Sequence, residues 1–405
     1  MTSRARSAPG TPRARRGALA RLGGALFWTA EALLAGPVAI GLAAAWLHPR
    51  PFWWAQIVAV ALPYAAWLLA AWTGVVLLTP RRRVAVAHAA LLALVLWRAA
   101  PLAPGPADPA LLAGDDVLRV VTFNVPQVGP SREVLGDSVV AYVGAARPHV
   151  LAYQDAWIFE DEAGRRDERA VQVAAVERDL AYTARLPERL REAPGWRRPG
   201  TGVPVLVRGG VQTRRSEAVP LYGLGEVTSL ASRTEIEWAG RPLAVYNLHL
   251  RSFGEDKPWL DPAVRQGRLR DRLRATVPYL RRYRQVYAER ADEVEALAAV
   301  VAADSLPALV VGDLNSTADN WSARRLRAAG ARRTDAQRAR GRGWGRTYHA
   351  ERPLVRIDVI YADPALEVLG AETTAVTFSD HRPLRAWLRW RDAPAAGAEA
   401  DPAET

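Results

Sequence analysis

Residues 308–316 read ALVVGDLNS, and this short stretch decides the fold. A run of small and apolar residues predicts a buried strand, and Asp313 and Asn315 come directly at its end. Side chains alternate along extended chain, so Asp313 and Asn315 face one side while Leu314 faces the core. The pattern predicts a sheet whose rim carries a polar site.

The same arrangement recurs on both sides of this stretch. Short β-rich runs predict strands at 117–125, 150–155, 203–208, 234–238, 243–250, 308–312, 356–361 and 384–390. Helical stretches lie between them, the clearest over 263–302, where Pro278 is expected to break or kink the helix. A second helix is predicted at 131–146. This mixture predicts an α/β sandwich.

Polar side chains stand at the ends of these predicted strands. They are Asn124 in VVTFNV, Asp155 in VLAYQDA, His249 in AVYNLHL, Asp358 in VRIDVIYA, and Asp380 and His381 in TFSDHRPL. Carboxylate and amide oxygens are the ligands that Mg²⁺ prefers. Asp313 could activate or orient a water and Asn315 could hold a phosphate oxygen, while His381 could carry a proton with its tautomer fixed by Asp358. Each residue alone is more typical of a turn or a cap, so the prediction depends on the set.

Several other kinds of site are excluded by composition. The chain has no cysteine, so thiolate nucleophiles, thiolate zinc sites and disulfides are absent. Lys257 is its single lysine, and no GxGxxG after a strand, GxSxG or HExxH occurs.

The ordered series of motifs resembles the endonuclease/exonuclease/phosphatase superfamily over about residues 117–390. GDLN at 312–315 and SDH at 379–381 are its most specific parts. The resemblance implies a four-layered αββα sandwich that hydrolyses phosphodiesters or phosphomonoesters with Mg²⁺ or a similar ion such as Mn²⁺.

The resemblance also implies roles for the individual residues. Asp155 would be the principal metal ligand with Asn124 beside it, and Asp380 would support a second metal. Asp313 would orient or deprotonate the attacking water, and Asn315 would position the phosphate. His249 and His381, the latter oriented by Asp358, would stabilise phosphoryl charge or handle protons. The family usually has glutamate at the position of Asp155, which implies a metal held closer or through water. Arg208 stands where members often carry a phosphate-binding arginine, and a surface strand end is the alternative.

The N-terminal part of the chain has a different character. Residues 1–110 carry 11 arginines and two acidic residues, a net charge of +9. The remaining residues therefore carry only +3 of the total net charge of +12. Hydrophobic segments at 24–47, 52–78 and 84–100 predict three transmembrane helices. Because basic loops stay in the cytoplasm, the N-terminus and Arg81–Arg83 are predicted inside and everything after about residue 101 outside.

The predicted organisation is a basic cytoplasmic N-terminus (1–22), three transmembrane helices (23–100), a linker (101–115), the α/β domain (116–390) and a disordered acidic tail (391–405). We expect a multi-pass protein of the cell membrane, with the metal-dependent phosphoesterase domain outside the cytoplasm. Its substrate could be nucleic acid, as for a nuclease or phosphodiesterase. The alternatives are a sphingomyelinase-like lipid phosphodiesterase, an inositol-phosphate phosphatase and a catalytically weak membrane binding module. The near-neutral domain argues against nucleic acid, and no protein partner is predicted. Arginines clustered between 265 and 284 could form a phosphate-binding or headgroup-binding face, but a solvated helix surface is favoured because acidic residues lie near them in sequence.

Overall fold

The chain forms two compact units. A computed structural model describes residues 12–99, 101, 105–125, 132–159, 168–187, 200–223, 225–254, 258 and 260–391. The helical unit comprises Met1–Ala43 and Ala61–Arg98, and the sheet unit comprises Ala44–Val60 and Ala99–Thr405. The start of the predicted basic N-terminus and almost all of the predicted acidic tail lie outside the described residues.

The helical unit contains three long helices. They are α1 (Pro12–Ala43), α3 (Leu62–Leu77) and α4 (Arg82–Ala99). Val38, Leu62, Leu69 and Val95 are buried where these helices pack together. Within this apolar unit the Glu31 carboxylate contacts Nε2 of His88 at 2.8 Å and accepts a hydrogen bond from the indole of Trp72 at 2.9 Å.

The apolar helices agree only in part with the three predicted membrane spans. Leu19–Trp46 is the one helix in the described part of the chain that is long and apolar enough to cross a membrane by itself. Pro49–Val60 and Leu62–Leu77 meet the same criterion only as a pair bent by 61°. The described residues therefore contain one candidate span, or two if the bent pair of helices is counted as a single span. The third span remains a prediction.

Two six-stranded mixed sheets form the sheet unit. The first has the order β14-β15-β1-β2-β7-β5, the second β12-β13-β11-β10-β9-β8, and β4-β3-β6 form a small third sheet. The strands are β1 (Leu118–Asn124), β2 (Val150–Gln154), β3 (Ile158–Phe159), β4 (Glu168–Arg169), β5 (Tyr182–Arg185), β6 (Gly200–Thr201), β7 (Val205–Arg208), β8 (Gln212–Gly223), β9 (Glu226–Trp238), β10 (Arg241–His249), β11 (Ala308–Asp313), β12 (Thr334–Asp335), β13 (Asp358–Ala362), β14 (Leu366–Thr373) and β15 (Leu384–Trp390).

The two large sheets pack face to face and helices cover their outer faces. Val120 of the first sheet and Val311 of the second share one buried cluster between the sheets. The outer face of the second sheet buries Leu297 of α9 against Val310, and that of the first buries Val139 of α6. The helices of this unit are α2 (Pro49–Val60), α5 (Pro109–Leu112), α6 (Arg132–Ala146), α7 (Val171–Asp179), α8 (Pro262–Gln266), α9 (Leu269–Ala303), α10 (Trp321–Arg327) and α11 (Ala336–Arg340). The predicted four-layered α/β sandwich is confirmed.

A short segment that lies far before β1 in the chain is part of the sheet unit. Residues 44–60, a 3₁₀ turn and α2, belong to the sheet unit and join the apolar helices at both ends. Gln56 is 1% exposed. Its side-chain oxygen accepts from the backbone N–H of Trp321 at 3.0 Å and from Nδ2 of Asn320 at 3.2 Å. Its amide donates to the carbonyls of Ala44 and Leu47, so every polar atom of the side chain is used.

Gln56→Ala is expected to lower the free energy of unfolding by about 1–3 kcal/mol, because it leaves the buried amide of Trp321 without its acceptor. Chemical denaturation of the full chain in detergent measures this. Gln285→Ala is the matched control, since Gln285 is exposed on α9 and should change stability by less than about 0.5 kcal/mol. Equal losses in the two variants would contradict the role of Gln56.

Candidate active site

The register of the sheets brings the polar strand ends to one edge of the sandwich. In the first sheet β1 and β2 are parallel, and Asn124 is paired with Gln154. In the second sheet β10 and β11 are parallel, and Asp313 is paired with His249 on one side and with Asp358 of antiparallel β13 on the other. The carboxyl ends of parallel strands share an edge, so the two sheets contribute to one polar cluster.

Asp313 is the centre of this cluster and is 1% exposed. Its Oδ2 accepts from Nδ2 of Asn124 at 3.1 Å, and it lies 3.5 Å from Nε2 of His249 and 3.8 Å from Nε2 of His381. Burial and the neighbouring carboxylate of Asp358 raise the pKa of Asp313 above its ordinary value. A buried carboxylate between two imidazoles is suited to taking up a proton.

His381 is held in one orientation by a carboxylate behind it. Its Nδ1 lies 2.9 Å from Oδ2 of Asp358, and its backbone N–H donates to Oγ of Ser379 at 3.0 Å. Burial lowers the pKa of His381, but Asp358 and then Asp313 and Asp380 outweigh it and raise the pKa to about 10. The imidazole is therefore a cation at neutral pH, with Nε2 directed to the Asp313 side.

His249 has the same electrostatic character on the opposite side of Asp313. Its Nδ1 lies 3.3 Å from Oδ1 of Asp155. Burial lowers the pKa of His249, but the carboxylates of Asp155 and Asp313 outweigh it and raise the pKa to about 9. Burial raises the pKa of Asp155, but His249, His381 and a hydrogen bond from Asn124 outweigh it, so this pKa falls below its ordinary value. Asp155 and His249 thus form a charged pair.

Two groups at this edge fit a divalent cation. In the first, the carbonyl oxygen of the Asn124 side chain is buried with no hydrogen-bond partner among the described residues, and the amide of the same side chain donates to Asp155. Oxygen ligands of this kind suit Mg²⁺ and Mn²⁺. In the second group, ligand atoms of Asp313, Asp358 and His381 lie within 4.8 Å of one another. We favour the first group, because the pKa of Asp155 is lowered, which keeps this carboxylate charged, whereas the pKa of Asp313 in the second group is raised.

The loop after β11 takes its shape from an unusually close backbone contact. Gly312 has a φ of +134°, and a Cβ at this position would lie 2.0 Å from the carbonyl oxygen of Leu248. Asn315 follows with a φ of +48° and donates from Nδ2 to the carbonyl of Leu250 at 2.9 Å, while its N–H donates to Oδ1 of Asp313 at 2.7 Å. Glycine and asparagine are the residues that tolerate such positive φ values best. The GDLN motif therefore positions the Asp313 carboxylate.

Asp380 is also near the cluster, but Arg208 is not. The charge of Asp380 raises the pKa values of His381 and Tyr348, and its Oδ1 is buried without a partner in the described part of the chain. The prediction that Arg208 contacts substrate phosphate at this site is wrong. Because β7 is antiparallel to β2, Arg208 lies at the opposite end of the sheet, where its N–H donates to the carbonyl of His149.

Other polar residues at this edge support the site from behind. Nε2 of Gln154 donates to Oδ1 of Asn247 at 2.6 Å, and Nδ2 of Asn247 donates to the carbonyls of Tyr153 and Pro204. Both residues are fully buried, so their amides join the two sheets. Oγ of Ser379 donates to the backbone carbonyl of Asn124 at 2.7 Å. Sequence patterns find these polar positions at strand ends but not their supporting role, because the partners lie far apart in the chain.

Asp358→Asn is expected to lower the pKa of His381 by several units, because it removes the largest opposing charge while burial remains. The native imidazole, with a pKa of about 10, should stay protonated through neutral pH, and the variant should lose its proton at a lower pH. Histidine-selective NMR titration of the full chain, which has six histidines, measures both. His149, at the opposite end of the sheet, is the internal control. An unchanged pKa of His381 would contradict the pairing.

One family model and several solved structures are similar to this chain. The family model described as Endonuclease/Exonuclease/phosphatase family matches residues 122–381. No curated protein sequence matches the chain. Among solved structures, the human Nocturnin catalytic domain with bound sulfate is 16% identical, with 68% of this chain and 95% of that chain covered and a TM-score of 0.45.

Two bacterial structures give similar values. A protein described as endonuclease/exonuclease/phosphatase from Beutenbergia cavernae is 19% identical, with 69% and 73% of the two chains covered and a TM-score of 0.46. A mannosyl-6-phosphatase from Bacteroides thetaiotaomicron is 14% identical, with 67% and 100% covered and a TM-score of 0.45. Because the family model spans more than half of the chain, the protein belongs to the endonuclease/exonuclease/phosphatase family and is a phosphoesterase.

Proposed function

We propose that the protein is a membrane-anchored, divalent-metal-dependent phosphoester hydrolase that acts outside the cytoplasm, as a phosphodiesterase or nuclease. The observation that carries the proposal is the Asp313 carboxylate, buried between the imidazoles of His249 and His381. This arrangement places one proton acceptor between two cationic proton donors. Hydrolysis of a phosphate ester needs both, because the attacking water loses a proton while negative charge develops on the phosphoryl oxygens.

In this proposal Asp313 orients the attacking water and accepts its proton. The raised pKa of Asp313 brings its basicity closer to neutral pH, which favours a general base. The hydrogen bonds from Asn124 and from the N–H of Asn315 fix the carboxylate plane before substrate binds. Asn315 acts on the site through the loop, because its amide already donates to Leu250.

The two histidines stabilise the negative charge of the phosphoryl group. The pKa values of about 9 for His249 and about 10 for His381 keep both imidazoles protonated at neutral pH. Asp358 is a positioning residue, since it touches His381 and fixes which ring nitrogen faces the site. Preorganised donors of this kind stabilise a transition state more than the ground state.

The metal would be held by the carbonyl oxygen of Asn124 and the carboxylate of Asp155, with Asp380 as a further candidate. A divalent cation there would supply neutralising charge to the phosphate. Asp155 keeps its ionised form at neutral pH because its pKa is lowered, so the ligand is ready for Mg²⁺ or Mn²⁺.

The substrate alternatives differ in how they reach the site. Residues 111–405 carry a net charge of only +3, which disfavours duplex DNA, whose binding needs many cationic contacts. Anchoring by the helix Leu19–Trp46 would keep the site near lipid headgroups, which favours a lipid phosphodiesterase. An inositol-phosphate phosphatase and a catalytically weak binding module are the remaining candidates.

A substrate panel on the full chain in detergent tests the proposal. DNA, RNA, phospholipid and inositol phosphate are each incubated with Mg²⁺ or Mn²⁺, and every assay is repeated with Asp313→Asn. If the variant hydrolyses the substrates as fast as the native chain does, the proposed role of this site is wrong. Absence of hydrolysis from the whole panel would favour the binding module.

The proposed topology has a separate test. A reporter enzyme fused after Thr405 that folds only outside the cytoplasm should be active, since the basic N-terminus and Arg81–Arg83 are expected inside. Activity of a reporter that works only in the cytoplasm would overturn the extracytoplasmic assignment.

A further inference from the structure

The first half of α9 is an exposed helix with an apolar stripe. Leu269, Leu273, Val277 and Leu280 are 73%, 62%, 41% and 41% exposed, respectively. Their spacing of four, four and three residues places them on one face of a helix. We call these four residues the apolar stripe. Single exposed leucines are ordinary on protein surfaces, but a continuous row along one helix face indicates a binding surface.

Arginines accompany the apolar stripe, and acidic residues do not. Residues 269–285 contain six exposed arginines and one acidic residue, Asp271. The arginines are Arg270, Arg272, Arg274, Arg281, Arg282 and Arg284. Most of the other acidic residues expected near these arginines lie in the second half of the helix, where Glu289 and Glu293 are buried. The arginines lie on an exposed helix surface, as the sequence predicts, and the first half of α9 carries an excess of positive charge.

This half of α9 lies at the active-site edge of the sandwich. The chain leaves β10 at His249, on that edge, and α9 returns it to the start of β11 at Ala308. The helix has 35 residues, about 52 Å at 1.5 Å per residue, whereas β11 has 6 residues and spans about 20 Å. Its buried residues begin at Val286. Residues 269–285, about 25 Å of helix, therefore extend beyond the packed part on the side of the site.

The segment that joins the apolar helices is attached to the same edge. Gln56 accepts from the N–H of Trp321, which begins α10 eight residues after Asp313. Arg50 of α2 also donates to the carboxylate of Asp292 on α9 at 2.6 Å. In this segment Trp46 and Trp54 are 60% and 43% exposed, and aromatic residues of this kind favour the membrane interface. These exposed aromatic residues, which belong to the sheet unit, are suited to contact with a lipid surface.

We propose that residues 269–285 of α9 dock on an anionic lipid surface and hold the active-site edge at the headgroups. An apolar row flanked by arginines is the pattern of a helix that lies in the membrane interface, with leucines in the acyl boundary and guanidinium groups among phosphates. Nucleic acid would use the arginines but leave the leucines in water. A second copy of the chain would cover the leucines but bring the arginines together. Hydrolysis of a lipid ester at that edge rests on the proposed function; docking does not.

The absence of cysteine allows a direct test on the full chain. Leu273→Cys carries an environment-sensitive fluorophore, and the chain is reconstituted into nanodiscs of phosphatidylcholine alone or mixed with phosphatidylglycerol. Val300→Cys is the matched control, because Val300 is an apolar residue of the same helix and is 39% exposed in its second half. We expect a blue shift and protection from iodide at position 273 with phosphatidylglycerol, and neither change at position 300.

Charge removal tests the role of the arginines. In the Leu273→Cys background, replacing Arg270, Arg274 and Arg281 with glutamine should lower the ratio of docked to undocked helix by about fivefold for each arginine. An unchanged fluorescence of the probe, equal shifts in the two lipid compositions, or equal shifts at the two labelled positions would overturn the proposal. So would a shift that requires an oligonucleotide, or one that requires only a higher protein concentration in detergent.

The same nanodiscs separate the docking from the chemistry. Hydrolysis of a water-soluble phosphodiester is measured alongside the fluorescence. An undocked helix with intact hydrolysis overturns the docking alone, and a docked helix without hydrolysis overturns the proposed function alone.

Discussion

Asp313→Asn is expected to lower kcat by about 10³-fold while leaving the protein as stable as the native chain or more stable. The loss of rate follows from the loss of the proton acceptor, which contributes about 10²–10⁴-fold in enzymes that use one. The stability follows from the cost of keeping a charge in a site that is 1% exposed and next to Asp358. Asparagine keeps the shape of the side chain and an oxygen that can accept from the N–H of Asn315.

The pH dependence of stability should report the same group. Because the folded state raises the pKa of Asp313, the folded state binds this proton more tightly than the unfolded chain does. This carboxyl therefore penalises folding fully above its folded pKa, and the penalty shrinks as the pH falls below that value and is gone below the pKa of the unfolded chain. The difference in unfolding free energy between Asp313→Asn and the native chain should shrink accordingly. Thermal unfolding and single-turnover hydrolysis measure the two effects, and a variant that is both active and less stable would contradict the assignment.

The strand-end residues could be predicted from the sequence because their positions follow from local patterns. Each of Asn124, His249 and Asp313 closes a short β-rich run, and the structure ends β1, β10 and β11 at those residues. Parallel pairing then brings the ends together without further information. The predicted strand 384–390 matches β15 at both ends, with Pro383 before it and the charged Arg391 after it.

Long-range packing explains where prediction failed. β8 was missed because its sequence, QTRRSEAVPLYG, is polar and contains Pro220, and only its pairing with β9 makes it a strand. The expected break at Pro278 is absent, because α9 continues from Leu269 to Ala303. The predicted helix 263–302 is instead interrupted near its start, between the end of α8 at Gln266 and the start of α9 at Leu269.

The predicted role of Arg208 was wrong for a related reason. A single strand shows which residues lie at its end, but not at which edge of the sheet that end lies. Antiparallel pairing of β7 with β2 sends Arg208 to the far edge, and only the sheet order could show this. Most of the segment 44–60 was predicted as membrane helix because it is apolar, and the structure groups this segment with the sheet unit, where Gln56 accepts from the N–H of Trp321.

Asp155→Asn is expected to weaken the binding of Mn²⁺ to the full chain by more than about 10–100-fold, the loss typical of residues that only support a metal ligand. The expectation follows from the lowered pKa of Asp155 and from the neighbouring Asn124, whose side-chain carbonyl oxygen has no hydrogen-bond partner among the described residues. Asparagine keeps the volume of the side chain. Because it has no charge and its oxygen is a weaker ligand, the variant loses the metal ligand.

Asp358→Asn distinguishes this site from the second group of possible ligands. Asp358 belongs to the cluster with Asp313 and His381, and its Oδ2 is held by His381 at 2.9 Å. If the metal binds at Asn124 and Asp155, this variant should bind Mn²⁺ within a few fold of the native chain, although it alters the pKa of His381. Calorimetric titration with Mn²⁺ measures both variants without depending on activity. The reverse result, strong binding by Asp155→Asn and none by Asp358→Asn, would move the metal to the second group and remove Asp313 from the role of base, because a carboxylate that binds the cation cannot also accept the proton.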